Sequence, residues 1–83
     1  MNNEKNLSEL SVGGCGVVSR LVTEGSMRRR FLDIGLVPGT RVVRVGRSPM
    51  GDPSAYLVRG KCVAVRARDA AGVIITESDT AFD

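Results

Sequence analysis

Residues 26–40 run Ser26-Met27-Arg28-Arg29-Arg30-Phe31-Leu32-Asp33-Ile34-Gly35-Leu36-Val37-Pro38-Gly39-Thr40, and the period of this stretch decides the fold. Met27, Phe31 and Ile34 follow one another at spacings of four and three, which puts them on one face of a helix. Ser26 can cap that helix by accepting a hydrogen bond from a first-turn N–H. Gly35 stands where a left-handed residue ends a helix, and Pro38 lies three residues beyond it. The pattern predicts one helix over 27–34, about two turns long. So short a helix is not stable alone and has to rest on other structure. Pro38-Gly39 then suits the centre of a type II turn, because Pro presets φ and Gly accepts positive φ.

On both sides of this stretch the chain reads as strands. Leu7-Ser8-Glu9-Leu10 precedes a glycine cluster (Gly13, Gly14, Gly16) that punctuates the start of a strand over 16–22. The apolar positions of that strand do not alternate cleanly, so its inward face stays open. Residues 41–47 form the next strand. Residues 48–53, with Pro49 and Pro53, form a loop, since proline is barred from a central strand. Strands over 56–59 and 62–66 are joined by Gly60-Lys61 as a two-residue hairpin turn. In the second of them Val63 and Val65 share one face, and Cys62, Ala64 and Arg66 the other. Ala70 and Ala71 make a brief turn or a single helical turn, and 73–76 is the last strand. The 83 residues hold three aromatics, Phe31, Tyr56 and Phe82, so Val, Ile and Leu must build the core. Five short strands and one small helix favour a mainly β, small barrel, a fold that removes exposed strand edges by closure.

The net charge of +3 conceals a gradient. From Arg20 to Arg68 eleven bases stand against Glu24, Asp33 and Asp52, a net of +8, whereas Asp69, Glu77, Asp79 and Asp83 follow without a base. Such a body suits an acidic partner surface, and equally a solvated, arginine-rich exterior. Arg28-Arg29-Arg30 is the densest run. On the helix Arg28 and Arg29 project away from the apolar face, as a carboxylate clamp or as plain solvated surface. The near absence of stacking aromatics makes nucleic acid a poor candidate ligand.

With no His in the chain, the usual general base is missing, and Cys15 or Cys62 would lack an imidazole partner as nucleophile. The glycines around Cys15 lack the Lys-Ser/Thr ending of a phosphate-binding loop. No catalytic residue and no cofactor is therefore expected. Cys15 and Cys62 are the weak candidates for metal ligands, far short of a four-ligand site. No apolar run approaches the roughly 20 residues of a membrane span, and the polar start lacks a secretory signal, so a cytoplasmic location is expected.

Arg29-Arg30-Phe31-Leu32-Asp33-Ile34-Gly35-Leu36-Val37-Pro38-Gly39-Thr40, with Leu7-Ser8-Glu9-Leu10 before it, and Pro49-Met50-Gly51-Asp52-Pro53, Val58-Arg59-Gly60 and Val63-Ala64-Val65-Arg66 after it, resembles the ferrous iron transport protein A (FeoA) family. Ser48 and Met50 depart from the family's usual Ala and Leu, and the cysteines are not family hallmarks. The resemblance implies an SH3-like barrel over residues 7–77, between a flexible N-terminus (1–6) and a flexible acidic tail (78–83). It also implies an accessory role in ferrous iron uptake beside a permease with a GTP-binding domain, at the inner face of the membrane. The same barrel occurs as the C-terminal domain of iron-dependent repressors, which leaves a regulatory domain or a basic nucleic-acid-binding barrel as alternatives. Self-association stays open. Arg28 and Arg29, together with Met50, Gly51, Asp52, Pro53 and Tyr56, are the expected partner-binding residues, since SH3-like folds bind beside their loops. Turn chemistry alone would also account for Gly51-Asp52-Pro53.

Overall fold

The computed structural model describes residues 4–78. They form an antiparallel sheet of six strands: β1 (Glu4–Asn6), β2 (Cys15–Leu21), β3 (Arg41–Arg47), β4 (Ser54–Val58), β5 (Lys61–Val65) and β6 (Val73–Ser78). The spatial order is β1-β6-β2-β3-β4-β5. A 3-10 turn (Leu7–Glu9) follows β1, helix α1 (Gly25–Ile34) links β2 to β3, and a one-turn helix α2 (Ala67–Ala70) links β5 to β6. The sheet curls around a single core. Val18, Val42, Tyr56, Val58, Val65, Val73 and Ile75 enter it from the strands, Leu7 and Leu10 from the N-terminal turn, and Phe31 and Leu36 from α1 and its exit. This is the small barrel expected, with one strand more. Its ends, β1 and β5, remain edges of the sheet.

The added strand lies inside the segment expected to be flexible. Glu4, Lys5 and Asn6 pair with Thr76, Ile75 and Ile74. Nothing in a polar triplet announces a strand, because the pairing is long-range. The next turn is local. The Asn6 side chain accepts from the Ser8 N–H at 3.0 Å, and the Glu9 carboxylate accepts from the Asn6 N–H at 2.8 Å. That reciprocal capping box satisfies donors the turn leaves unpaired. At the other end β6 runs to Ser78, and the rest of the expected acidic tail, 79–83, lies outside the described residues.

Helix α1 starts two residues before the expected one. Its N-cap is Glu24, which makes no side-chain cap. Gly25 turns the chain with φ +69°, so Ser26 falls inside the first turn and does not cap it. The C-terminus matches expectation. Gly35 is left-handed at φ +103°, its N–H donates to the Leu32 carbonyl at 3.1 Å, and the Leu36 N–H donates to that of Phe31 at 2.9 Å. A Cβ on Gly35 would lie 2.5 Å from Arg59 Cδ, so the helix end also fits closely against the β4–β5 hairpin. The Val37–Thr40 turn closes with a 3.0 Å bond from the Thr40 N–H to the Val37 carbonyl, and Gly39 carries its positive φ.

Two registers explain what sequence alone left unresolved. In β2, Val18 pairs with Ile75 but Arg20 with Ile74, so Ser19 is an extra residue that resets the alternation. The β4–β5 turn is Arg59-Gly60, one residue earlier than expected, with Val58 opposite Lys61. Both turn residues have positive φ, +52° and +84°, the hand that matches strand twist. Arg59 takes a conformation that a non-glycine residue adopts uncommonly.

Candidate docking surface

Helix α1 buries Phe31 and leaves Arg28, Arg29, Arg30 and Leu32 exposed. Arg29 projects as expected. Arg28 has a structural tie as well, since its Nη1 donates to the Leu21 carbonyl at 3.4 Å and fastens the helix to the end of β2. Both arginines border a shallow depression of about 310 Å³ with Gly25, Leu32 and Asp33.

The loop over 48–53 is tightly built. The Gly51 N–H donates to the Ser48 carbonyl at 2.8 Å, the Ser48 N–H to the Pro53 carbonyl at 2.9 Å, and Ser48 Oγ to the Asp52 carbonyl at 2.8 Å. Asp52 Oδ1 accepts from the Ala67 N–H at 2.8 Å and so holds the start of α2. Gly51 supplies a positive φ of +92° and precedes a cis Asp52-Pro53 bond. These contacts give Gly51 and Asp52 structural work. Met50 is different: it stands 91% exposed at the tip of the loop.

Tyr56 does not belong to an exposed patch. It is 1% exposed, and its hydroxyl donates to the Leu7 carbonyl across the core at 3.4 Å. Burial raises its pKa above 10.0, against the opposing pull of the Arg44 guanidinium. Arg44 itself is indistinguishable in sequence from the many other arginines. Its guanidinium donates to the Leu10 carbonyl and, at 2.6 Å, to Ser54 Oγ, tying the N-terminal turn to β3 and β4. A signal for it existed only in three dimensions, since its partners lie ten and 34 residues away.

The cysteines do not meet. Cys15 is buried in β2 and Cys62 exposed on β5. They occupy one row of the sheet with Val43 and Leu57 between them, a separation of roughly 14 Å at three strand spacings. Among the described residues no group of three or more His, Cys, Asp or Glu side chains is placed to hold a metal ion.

The loop and the helix do share one feature. A cavity of about 540 Å³ lies between α1 and the outer edge of β5, bordered by Met27, Arg30 and Ile34 on one side and by Val63 and Arg66 on the other, with Pro53 also lining it. A second cavity of about 400 Å³ continues it past Ile34 and Val63 toward Arg59 and Lys61. Pro53 and α1 thus border a common trough, whereas Arg28 and Arg29 line the separate depression described above.

The sequence profile of the FeoA domain matches residues 5–77. The chain belongs to the FeoA domain family. It is 36% identical over 67 residues to an Fe(2+) transport protein A/Fe(2+) transporter FeoB fusion protein of Porphyromonas gingivalis, a match covering 81% of this chain and 8% of the fusion. The chain therefore spans a small fraction of that relative. Among solved structures, FeoA of Chlorobium tepidum superposes with a TM-score of 0.81 at 32% identity, over 87% of this chain and 69% of that one. FeoA of Stenotrophomonas maltophilia complexed with zinc, a prokaryotic SH3 domain protein, superposes at 0.77 with 26% identity, covering 88% and 94%. The fold is SH3-like, as the resemblance implied. A manganese-dependent transcriptional repressor reaches 0.81 over 94% of this chain and 44% of its own, at 18% identity, which is a likeness of fold alone. No helix among the described residues is long and apolar enough to cross a membrane.

Proposed function

We propose that this FeoA-family chain is a cytoplasmic accessory protein of ferrous iron uptake that works by docking on the GTP-binding portion of the ferrous iron permease. The observation that carries this reading is the fusion in Porphyromonas gingivalis, where a segment 36% identical to this chain belongs to one protein with an Fe(2+) transporter. Covalent linkage keeps two modules at high effective concentration, an arrangement suited to partners that bind each other. The charge of the domain agrees, since the segment from Arg20 to Arg68 carries a net +8 and Arg29 and Arg30 stand exposed on α1. Cationic patches speed encounter with an acidic partner and select against a basic one.

The test is co-purification of the tagged chain with the permease's cytoplasmic portion, beside thermal melts. Arg28→Glu with Arg29→Glu should cost little stability, about 0.5 kcal/mol per exposed site, plus the weak bond from Arg28 to Leu21. Partner recovery should fall severalfold. Recovery unchanged by the double reversal would show that these arginines are only solvated, and no recovery with the wild-type chain would overturn the reading.

A further inference from the structure

We infer that the outer edge of β5 accepts an extended, acidic segment of the protein partner as a seventh strand, laid in the trough between β5 and α1. The inference rests on the docking function proposed above and gives it a surface and a mode.

The backbone argument comes from the register. Val58 and Lys61 flank the two-residue turn, so they exchange both of their hydrogen bonds, and Tyr56–Val63 and Ser54–Val65 repeat that pairing. The intervening residues of β5, Cys62 and Ala64, therefore direct their N–H and C=O groups away from β4. Among the described residues no strand lies on that side. An unpaired edge is a template for another strand unless charge, proline or a covering element blunts it. Lys61 is the only charged residue of β5 and sits at its turn end, the strand contains no proline, and α1 stands off far enough to leave cavities of about 540 and 400 Å³ along it.

The trough also specifies what the strand would carry. Half-buried Met27, Ile34 and Val63 offer an apolar floor, which suits the inward side chains of an alternating segment. The rim carries Arg30 and Arg66 at one end and Arg59 and Lys61 at the other, against the carboxylates of Asp33 and Asp69. The cationic excess favours acidic residues on the incoming strand. It disfavours a second copy of this basic chain in the same place.

The experiment is amide hydrogen exchange by NMR on the ¹⁵N-labelled chain, alone and with the GTP-binding domain of the permease from the same organism, followed by synthetic ten-residue peptides tiled across that domain. The Cys62 and Ala64 amides should exchange at least tenfold more slowly in the complex, and an acidic peptide should reproduce the effect. Ala64→Pro removes one of the two outward donors at an edge position where proline is tolerated, and it should weaken binding at least tenfold in a chain whose spectrum remains folded. If that variant unfolds, protection in the wild-type chain decides. Binding without protection of these amides overturns the strand addition while leaving the docking function intact. No binding at all removes the docking function itself. Protection that grows with the chain's own concentration, without the permease domain, would make a second copy the occupant and also overturn the inference.

Discussion

The two edges of the sheet are protected very differently. β1 is three residues long and polar, and its charges are engaged: Lys5 pairs with Glu77 and Glu4 with Arg20, each at 2.9 Å. A 3-10 turn with a capping box ends it at once. β5 runs Lys61-Cys62-Val63-Ala64-Val65 beside an open trough, with cationic side chains on its rim. Short, charged edges resist pairing with foreign strands, and edges whose interior carries neither charge nor proline are open to it. One sheet thus carries both solutions, and the contrast marks β5 as the end left available for contact.

The most drastic way to abolish the contrast is to remove the wall of the trough. Phe31→Ala deletes the one fully buried side chain of α1 and should cost roughly 3–5 kcal/mol. Because a domain this small has only about 5–15 kcal/mol in total, thermal melts should show a large drop in midpoint. Loss of under about 1 kcal/mol would mean that α1 is not anchored through Phe31.

Tyr56 joins the two ends, since it pairs with Val63 of β5 and bonds to Leu7 beyond β1. Burial raises its pKa, so the folded state holds the phenol proton more tightly than the unfolded chain does. Stability from this group is complete below pH 10 and falls as pH rises through 10 toward the folded value. Urea melts at pH 8 and pH 11 should show that loss in the wild type. Tyr56→Phe should lack that component, at a cost near neutrality of about 0.5–1.5 kcal/mol for the hydrogen bond. An equal alkaline loss in both proteins would show that it does not come from Tyr56.

The smallest effect belongs to the guarded edge. Lys5 and Glu77 are both partly exposed, and a double-mutant cycle to Ala should give a coupling of about 0.2–1 kcal/mol. The same substitutions should raise concentration-dependent association in sedimentation. A monomer unchanged at high concentration would show that the brevity of β1, and not its charge, keeps it apart.

What the sequence disclosed was local chemistry. Gly35, Pro38 and Gly39 announced the helix end and the turn because their backbone preferences act over a few residues. The alternation of β5 was legible, since Val65 does face the core and Cys62 and Ala64 do not. The bulge at Ser19 was not, because an extra residue in β2 is defined only by its partner in β6. The hairpin was displaced by one residue because Arg59 took a left-handed conformation that favours glycine or asparagine. Of the expected contact residues, Arg29 and Met50 are free to meet a partner, Arg28 and Asp52 also hold the fold, and Tyr56 belongs to the core. An aromatic beside a loop looks the same in sequence whether its ring turns outward or in. The trough depended on α1 lying beside β5, two segments 27 residues apart from Ile34 to Lys61.

The pairing of Glu4 with Thr76 has one more consequence. It brings Glu4, where the described chain begins, to roughly 5 Å from Thr76, two residues before the described chain ends at Ser78, at the opposite end of the strand order from β5. A longer polypeptide could therefore carry this domain as a pendant from either terminus.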